Sequence, residues 1–314
     1  MSSFLSFIIN KSELGAGTRG ASLGPEAIQV VARKKNSSLF ATHPTHVLPH
    51  LNDLLDGPTE HEFAKYIEGM HHVYETIACQ IKNTLEKDYF PFVLAGDHSS
   101  AGGTIKGIKY TYPHAKLGVV WIDAHADLHT PLTTPSGNLH GMPLATALGV
   151  ENVEMGKNKV PQKTIDCWND LKSNFLQPEN LIYLGVRDTE LEENFLISQL
   201  NIKNYKVEEL TQKGVNAVLT EIEERLKECD IIYVSFDVDS MDPEETSYGT
   251  GTPVAKGLSI TQAESLLLGL LQNPKTQLLE FVEVNPCLDN KVNRMAEVAF
   301  SLIEKITTSK RFQK

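Results

Sequence analysis

Short apolar, β-branched runs recur along the chain, separated by longer stretches of helical period. Phe4–Ile9, Tyr89–Ala95, Leu117–Asp123, Leu181–Val186, Ile231–Asp237 and Leu278–Val284 read as strands. Leu117–Asp123 carries almost no polar side chain until its end, the pattern of a strand buried on both faces. Helical patterns cover 61–87, a stretch starting near Gly103, and 190–199, 214–228, 261–272 and 291–308. Thr261 and Glu264 have capping-box spacing, which predicts a helix start there. Strand–helix alternation of this kind implies a mostly parallel sheet with helices on both faces, a three-layer α/β/α architecture. Residues 36–60, with prolines at 44, 49 and 58, and residues 129–143, rich in turn formers, read as irregular. Without an internal repeat or a Gly/Ser/Pro-rich linker, residues 1–314 read as a single domain.

Charge narrows the partners. Lys plus Arg number 29 against 40 Asp plus Glu, a formal charge of -11, which argues against nucleic acid or an anionic membrane. Cys79, Cys167, Cys229 and Cys287 stand far apart with no CxxC pair, so isolated reduced thiols are expected rather than a disulfide framework. The N-terminus lacks a basic start, and no apolar run reaches transmembrane length. A cytoplasmic protein is the expectation.

The chemistry lies at the strand ends. VLAGDHS ends in Asp97 and His98, and VVWIDAHAD in Asp123, His125 and Asp127. YVSFDVDSMDP ends in Asp237, Asp239 and Asp242, and LEFVEVNP in Glu283. Ligands of open α/β sheets bind beyond the carboxyl ends of the strands. Alternate side chains of an extended segment point the same way, so Asp123, His125 and Asp127 can aim at one point, as can Asp237 and Asp239. Each motif alone is weak, since a lone D-x-D is usually a solvated turn. Together they point to metal, because clustered buried carboxylates need countercharge. An oxygen-rich set with two imidazoles and no thiolate suits manganese or a similar ion, and so many carboxylates suggest two ions. Two such ions can make hydroxide from water near neutral pH, so hydrolysis is the natural reaction class. His43, His46 and His50 read as loop residues, and His71, His72 and His114 as surface residues.

AGDHS at 95–99, DAHAD at 123–127, SGNLHG at 136–141, SFDVD-x-MDP at 235–243, GTGTPV at 249–254 and EVNP at 283–286 resemble the arginase/ureohydrolase superfamily, in order over most of the chain. SGNLHG looks like arginase rather than agmatinase. The resemblance implies two Mn2+ (Co2+ or Ni2+ also suit the ligands) on His98, Asp123, His125, Asp127, Asp237 and Asp239, with Asp123 and Asp237 bridging. It implies hydrolysis of L-arginine to L-ornithine and urea by a metal-bridging hydroxide that Asp127 steers. His140 would shuttle a proton to the leaving amine, and Glu283 would pair with the guanidinium, whose planar fork suits a carboxylate. Thr252 would line that end of the site. Ser136 and Asn138 would hold the substrate α-carboxylate through neutral hydrogen bonds, while Glu190 and Glu193 would take the α-amino group. A homo-oligomer, trimer or hexamer, is also implied.

Two positions depart from the family pattern. His129 stands where Asn is usual and helps grip the α-carboxylate, and Glu190 stands where Asp is commoner. The alternatives are a sister enzyme acting on agmatine, guanidinobutyrate or formimidoylglutamate, a deacetylase-type zinc amide hydrolase, and a metal-stabilised binding protein without turnover.

Overall fold

The computed structural model describes residues 4–312. Among these, eight strands form one sheet: β1 (Phe4–Asn10), β2 (Thr45–Val47), β3 (Tyr89–Ala95), β4 (Leu117–Ile122), β5 (Leu181–Leu184), β6 (Lys203–Tyr205), β7 (Ile231–Asp237) and β8 (Thr276–Val282). Their order is β2-β1-β3-β8-β7-β4-β5-β6, and every neighbouring pair is parallel. The four strands that end in metal-capable residues, β3, β8, β7 and β4, are therefore consecutive in the middle of the sheet. With all strands parallel, their carboxyl ends share one edge.

Alternation along each strand feeds two cores. On β4, Val120 and Ile122 join one apolar cluster, while Leu117, Val119 and Trp121 join the other. On β7, Ile232, Val234 and Phe236 face the first, and Ile231 and Tyr233 the second. The helices Gly24–Lys34, Val215–Arg225, Ile260–Gln272 and Arg294–Thr307 cover the first side. Ile67–Leu85, Ala101–Thr111, Pro143–Leu148 and Gln162–Leu171 cover the second. Burial of this kind stabilises by about 1.5–3 kcal/mol per large apolar side chain, which makes the middle strands a stiff base for the loops at their ends.

The expected α/β/α layering is present, with local corrections. β2 lies inside the 36–60 stretch expected to be irregular, and it places His46 on an edge strand. β6 was not expected, nor were the Gly24–Lys34 and Gln162–Leu171 helices. The 261–272 helix starts one residue earlier, at Ile260, and its capping box is Ser259 with Gln262 rather than Thr261 with Glu264. Gln262 N–H donates to Ser259 Oγ at 3.0 Å, and Ser259 N–H donates to Gln262 Oε1 at 2.9 Å. His71 is half-buried, its Nε2 at 2.9 Å from Cys167 O, not a plain surface residue. All four cysteines are free.

Candidate metal centre

Beyond Ile122 the backbone of β4 carries Asp123, His125 and Asp127 over the end of the sheet. His98 Nδ1 lies 3.0 Å from Asp123 Oδ2 and 3.2 Å from both Asp127 Oδ2 and Asp237 Oδ2. His125 Nδ1 lies 3.1 Å from Asp239 Oδ2 and 3.5 Å from Asp123 Oδ1. The six expected ligands thus form two neighbouring groups, and Asp123 belongs to both, one oxygen facing each imidazole.

Surrounding groups hold these side chains in place. The His98 ring stacks on Trp121, with centroids 3.9 Å apart, and its Nε2 is 2.7 Å from Ser235 Oγ. Asp237 Oδ1 accepts from Asp239 N–H at 2.8 Å, and Asp239 Oδ1 accepts from Ala124 N–H at 3.2 Å. Arg187 donates to the carbonyls of Asp239, Ser240, Val254, Ala255 and Gly185, tying the β5 and β7 ends to the 251–255 loop. Asp127 and Glu283 both have left-handed backbones, φ 50 and φ 67, a conformation that costs non-glycine residues and is found where function demands it.

The donor set fits divalent cations. Asp123, Asp127, Asp237 and Asp239 are all buried. Burial, then the neighbouring Asp123, pushes Asp127 up to about 6. Burial, with Asp239 and Asp123, holds Asp237 well above the usual carboxylate range. Burial alone would lower His98, but Asp123, Asp127 and Asp237 outweigh it and raise the imidazole. His98 Nδ1 and Asp123 Oδ2 are buried without a hydrogen bond although they face each other. Packing this much negative charge together is strongly unfavourable without cations between the groups.

The rest of the expected site surrounds the same cleft of about 220 Å³. His140 Nδ1 lies 3.5 Å from Glu283 Oε1, which also accepts from His98 N–H at 2.9 Å. Burial opposes His140 protonation, yet Glu283 raises its pKa above the ordinary imidazole value. Thr252 Oγ1 donates to Asp239 Oδ2 at 3.1 Å. Asn138 N–H donates to Ser136 Oγ at 3.2 Å. The neutral pair expected there has a cation beside it, because Lys65 Nζ donates to Asn138 Oδ1 at 3.2 Å. The loop needs Gly137: its φ is +75, and a Cβ would stand 1.9 Å from Glu62 O.

His129 turns towards the acids. Its Nε2 is 3.0 Å from Glu190 Oε2, and its Nδ1 is 3.2 Å from Thr133 Oγ1. The hydrogen bond from His129 pushes Glu190 down to about 2, whereas burial and Glu190 push Glu193 up. Glu193 is buried and accepts from Leu128 N–H and Glu190 N–H, so Glu190 is the more accessible acid. Sequence reasoning missed Asp188 and Arg187. Asp188 lines the cleft with Oδ2 3.7 Å from His125 Nε2, and its place at the β5 end was the available signal.

A model described as the arginase family matches residues 9–308. The chain is 33% identical to the arginase of Bacillus subtilis (strain 168) over 99% of both proteins, and 34% identical to that of Brevibacillus brevis over 94% of both. It superposes on the solved Entamoeba histolytica arginase in complex with L-ornithine with a TM-score of 0.83, at 26% identity, covering 98% of this chain and 100% of that one. The family match spans nearly the whole described chain and includes every strand end that builds the paired carboxylate–imidazole groups, so this chain belongs to the arginase family.

Proposed function

We propose that this chain hydrolyses L-arginine to L-ornithine and urea. The observation that carries the reading is the pair of buried carboxylate–imidazole groups sharing Asp123, with Glu283 and His140 at their rim. His98, Asp123, Asp127 and Asp237 would hold one divalent cation, and His125 and Asp239 the other, with Asp123 and Asp237 shared by both. When bound, the two cations neutralise the buried carboxylates and acidify water enough for it to serve as nucleophile near neutral pH. Glu283 accepts two parallel N–H bonds from the guanidinium and fixes its carbon over the centre. Asp127 accepts a hydrogen bond from the attacking water and orients it. His140, whose pKa Glu283 raises, donates a proton to the departing amine nitrogen. Thr252, bonded to Asp239, lines the guanidinium end.

At the outer end, Ser136 and Asn138 take the α-carboxylate with Lys65 adding positive charge, and Glu190 with Glu193 behind it takes the α-amino group. His129 orients Glu190. Manganese as the metal, a cytoplasmic location, a trimeric or hexameric assembly and one catalytic domain over 1–314 complete the reading. Among the described residues no helix is long and apolar enough to cross a membrane.

The pairing of His129 with Glu190 favours one second reading, a sister activity on a guanidino or formimidoyl compound with a different outer end. Assays of purified, manganese-loaded protein on arginine, agmatine, guanidinobutyrate and formimidoylglutamate separate the two. Turnover of arginine, read as urea, far above that of the others, read as urea or, for formimidoylglutamate, as formamide, supports arginine hydrolysis. A preference for agmatine, which lacks the carboxylate, would overturn the roles of Ser136, Asn138 and Lys65.

A further inference from the structure

Away from the cleft, the Ile67–Leu85 and Gln162–Leu171 helices pack on each other, and Glu68 and Cys167 on them meet His61 from the segment before Ile67. None of the three lines the catalytic cleft. One ligand-capable atom from each lies within 4.8 Å of the others. We propose that His61, Glu68 and Cys167 form a separate metal site for a zinc-class divalent cation, with water completing a four-coordinate shell.

The imidazole is prepared for this. His61 is 3% exposed, and its Nε2 is buried without a hydrogen-bond partner. Its Nδ1 is 2.9 Å from Thr164 Oγ1. With Nδ1–H donating to that hydroxyl, the Nε2 lone pair faces the cluster, the second-sphere arrangement that orients metal-binding histidines. Thr164 and Cys167 are three residues apart and share one helix face, so the helix that fixes the ring also offers the thiol. His71 Nε2, 2.9 Å from Cys167 O, anchors the backbone there. Glu68 Oε1 lies 3.5 Å from His61 Nε2, within the ~3–4 Å that separates ligands around tetrahedral zinc.

The competing cation is Lys163. Its Nζ lies 3.3 Å from Glu68 Oε1 but 2.6 Å from Glu60 Oε2, so it keeps a partner when Glu68 turns to a metal. Glu68 is exposed, which gives the ion an entrance from solvent. Imidazole, carboxylate and thiolate select a borderline-soft ion, unlike the sulfur-free catalytic centre. Burial pushes the Cys167 thiol up, so forming the sulfur–metal bond releases the thiol proton to solvent and binding tightens as pH rises. Occupancy would also stiffen residues 61–68, where Lys65 N–H donates to Gly137 O at 2.8 Å behind the substrate loop.

The test is a cobalt titration of the full chain with its catalytic centre already loaded with manganese. Thiolate-to-cobalt charge transfer gives a near-ultraviolet band that a sulfur-free centre cannot produce. The expected result is a band saturating at one cobalt per chain, absent in Cys167→Ser and weakened in Glu68→Gln. Zinc retained after dialysis should fall by one equivalent in Cys167→Ser and by part of one in Glu68→Gln. No band in the unaltered protein, or an equal band in Cys167→Ser, overturns the proposal. Urea release from the same samples reports the catalytic centre separately, so failure of one reading leaves the other standing.

Discussion

Glu283→Gln separates charge from shape at the guanidinium end. The carboxylate is 3% exposed, so solvent screens it little, and Oε1 accepts from His98 N–H. A glutamine keeps that acceptor and the side-chain volume, so the metal ligands should stay in place. What disappears is charge-assisted pairing with the guanidinium. Such bonds contribute about 1.5–3 kcal/mol each, against about 0.5–1.5 kcal/mol for neutral ones. A net loss of about 1–2.5 kcal/mol corresponds to a roughly five- to seventyfold fall in kcat/KM. A second signature follows from His140, whose raised pKa depends on Glu283 against the opposing effect of burial. Removing the charge lowers that pKa. Activity that needs protonated His140 is lost as pH rises through it, so the alkaline limb of the profile moves to lower pH. Steady-state urea release across pH, with metal content measured on the same protein, reads both effects. Unchanged kcat/KM with metal retained would refute guanidinium pairing by Glu283, and an emptied centre would show that its main role is to hold His98.

His140→Asn should keep both metals and lose most urea release, whereas Asp127→Asn should impair metal content and activity together; loss of metal from His140→Asn would remove its assignment as proton donor. Chelation should lower Tm, because buried carboxylates are left without countercharge. Asp127, pushed up to about 6 in the metal-free fold, holds its proton more tightly folded than unfolded, so that contribution to stability is present at low pH and lost as pH rises through about 6. The Tm drop should therefore be larger at pH about 8 than at about 5, and scanning calorimetry of stripped and loaded protein would contradict this if the drop were the same at both. Gly137→Ala forces a Cβ against Glu62 O in a left-handed backbone, which costs about 1–2 kcal/mol before the clash. It should raise KM for arginine more than it lowers kcat, and an unchanged KM would detach the loop from substrate binding.

The metal groups were legible because their chemistry is periodic. Asp123, His125 and Asp127 alternate just after an unbroken apolar run, and in the fold they follow β4 directly, Asp127 by His98 and His125 with Asp239, with Asp123 facing both imidazoles. What the sequence hid is short or long-range. β2 has three residues bounded by prolines, too few to show alternation, and it exists because β1 offers a free edge. β6 is equally short and pairs only with β5. The Ile260 helix start slipped because Thr261 and Glu264 imitate the cap that Ser259 and Gln262 form. The outer end of the site was read one residue at a time, and the pairs that define it are distant in sequence: Lys65 with Asn138, His129 with Glu190, Arg187 with the 251–255 loop. His61 drew no attention because its partners, Thr164 and Cys167, lie on a helix 100 or so residues away.

The most direct test of the paired centre is metal content per chain in the unaltered protein and in Asp123→Asn, measured beside urea release from arginine on the same samples. Because Asp123 faces both imidazoles, two manganese ions per chain with active hydrolysis, and loss of both manganese ions and activity in the variant, are expected. Urea release at full rate with one manganese ion per chain, or an Asp123→Asn variant that keeps two, would contradict it.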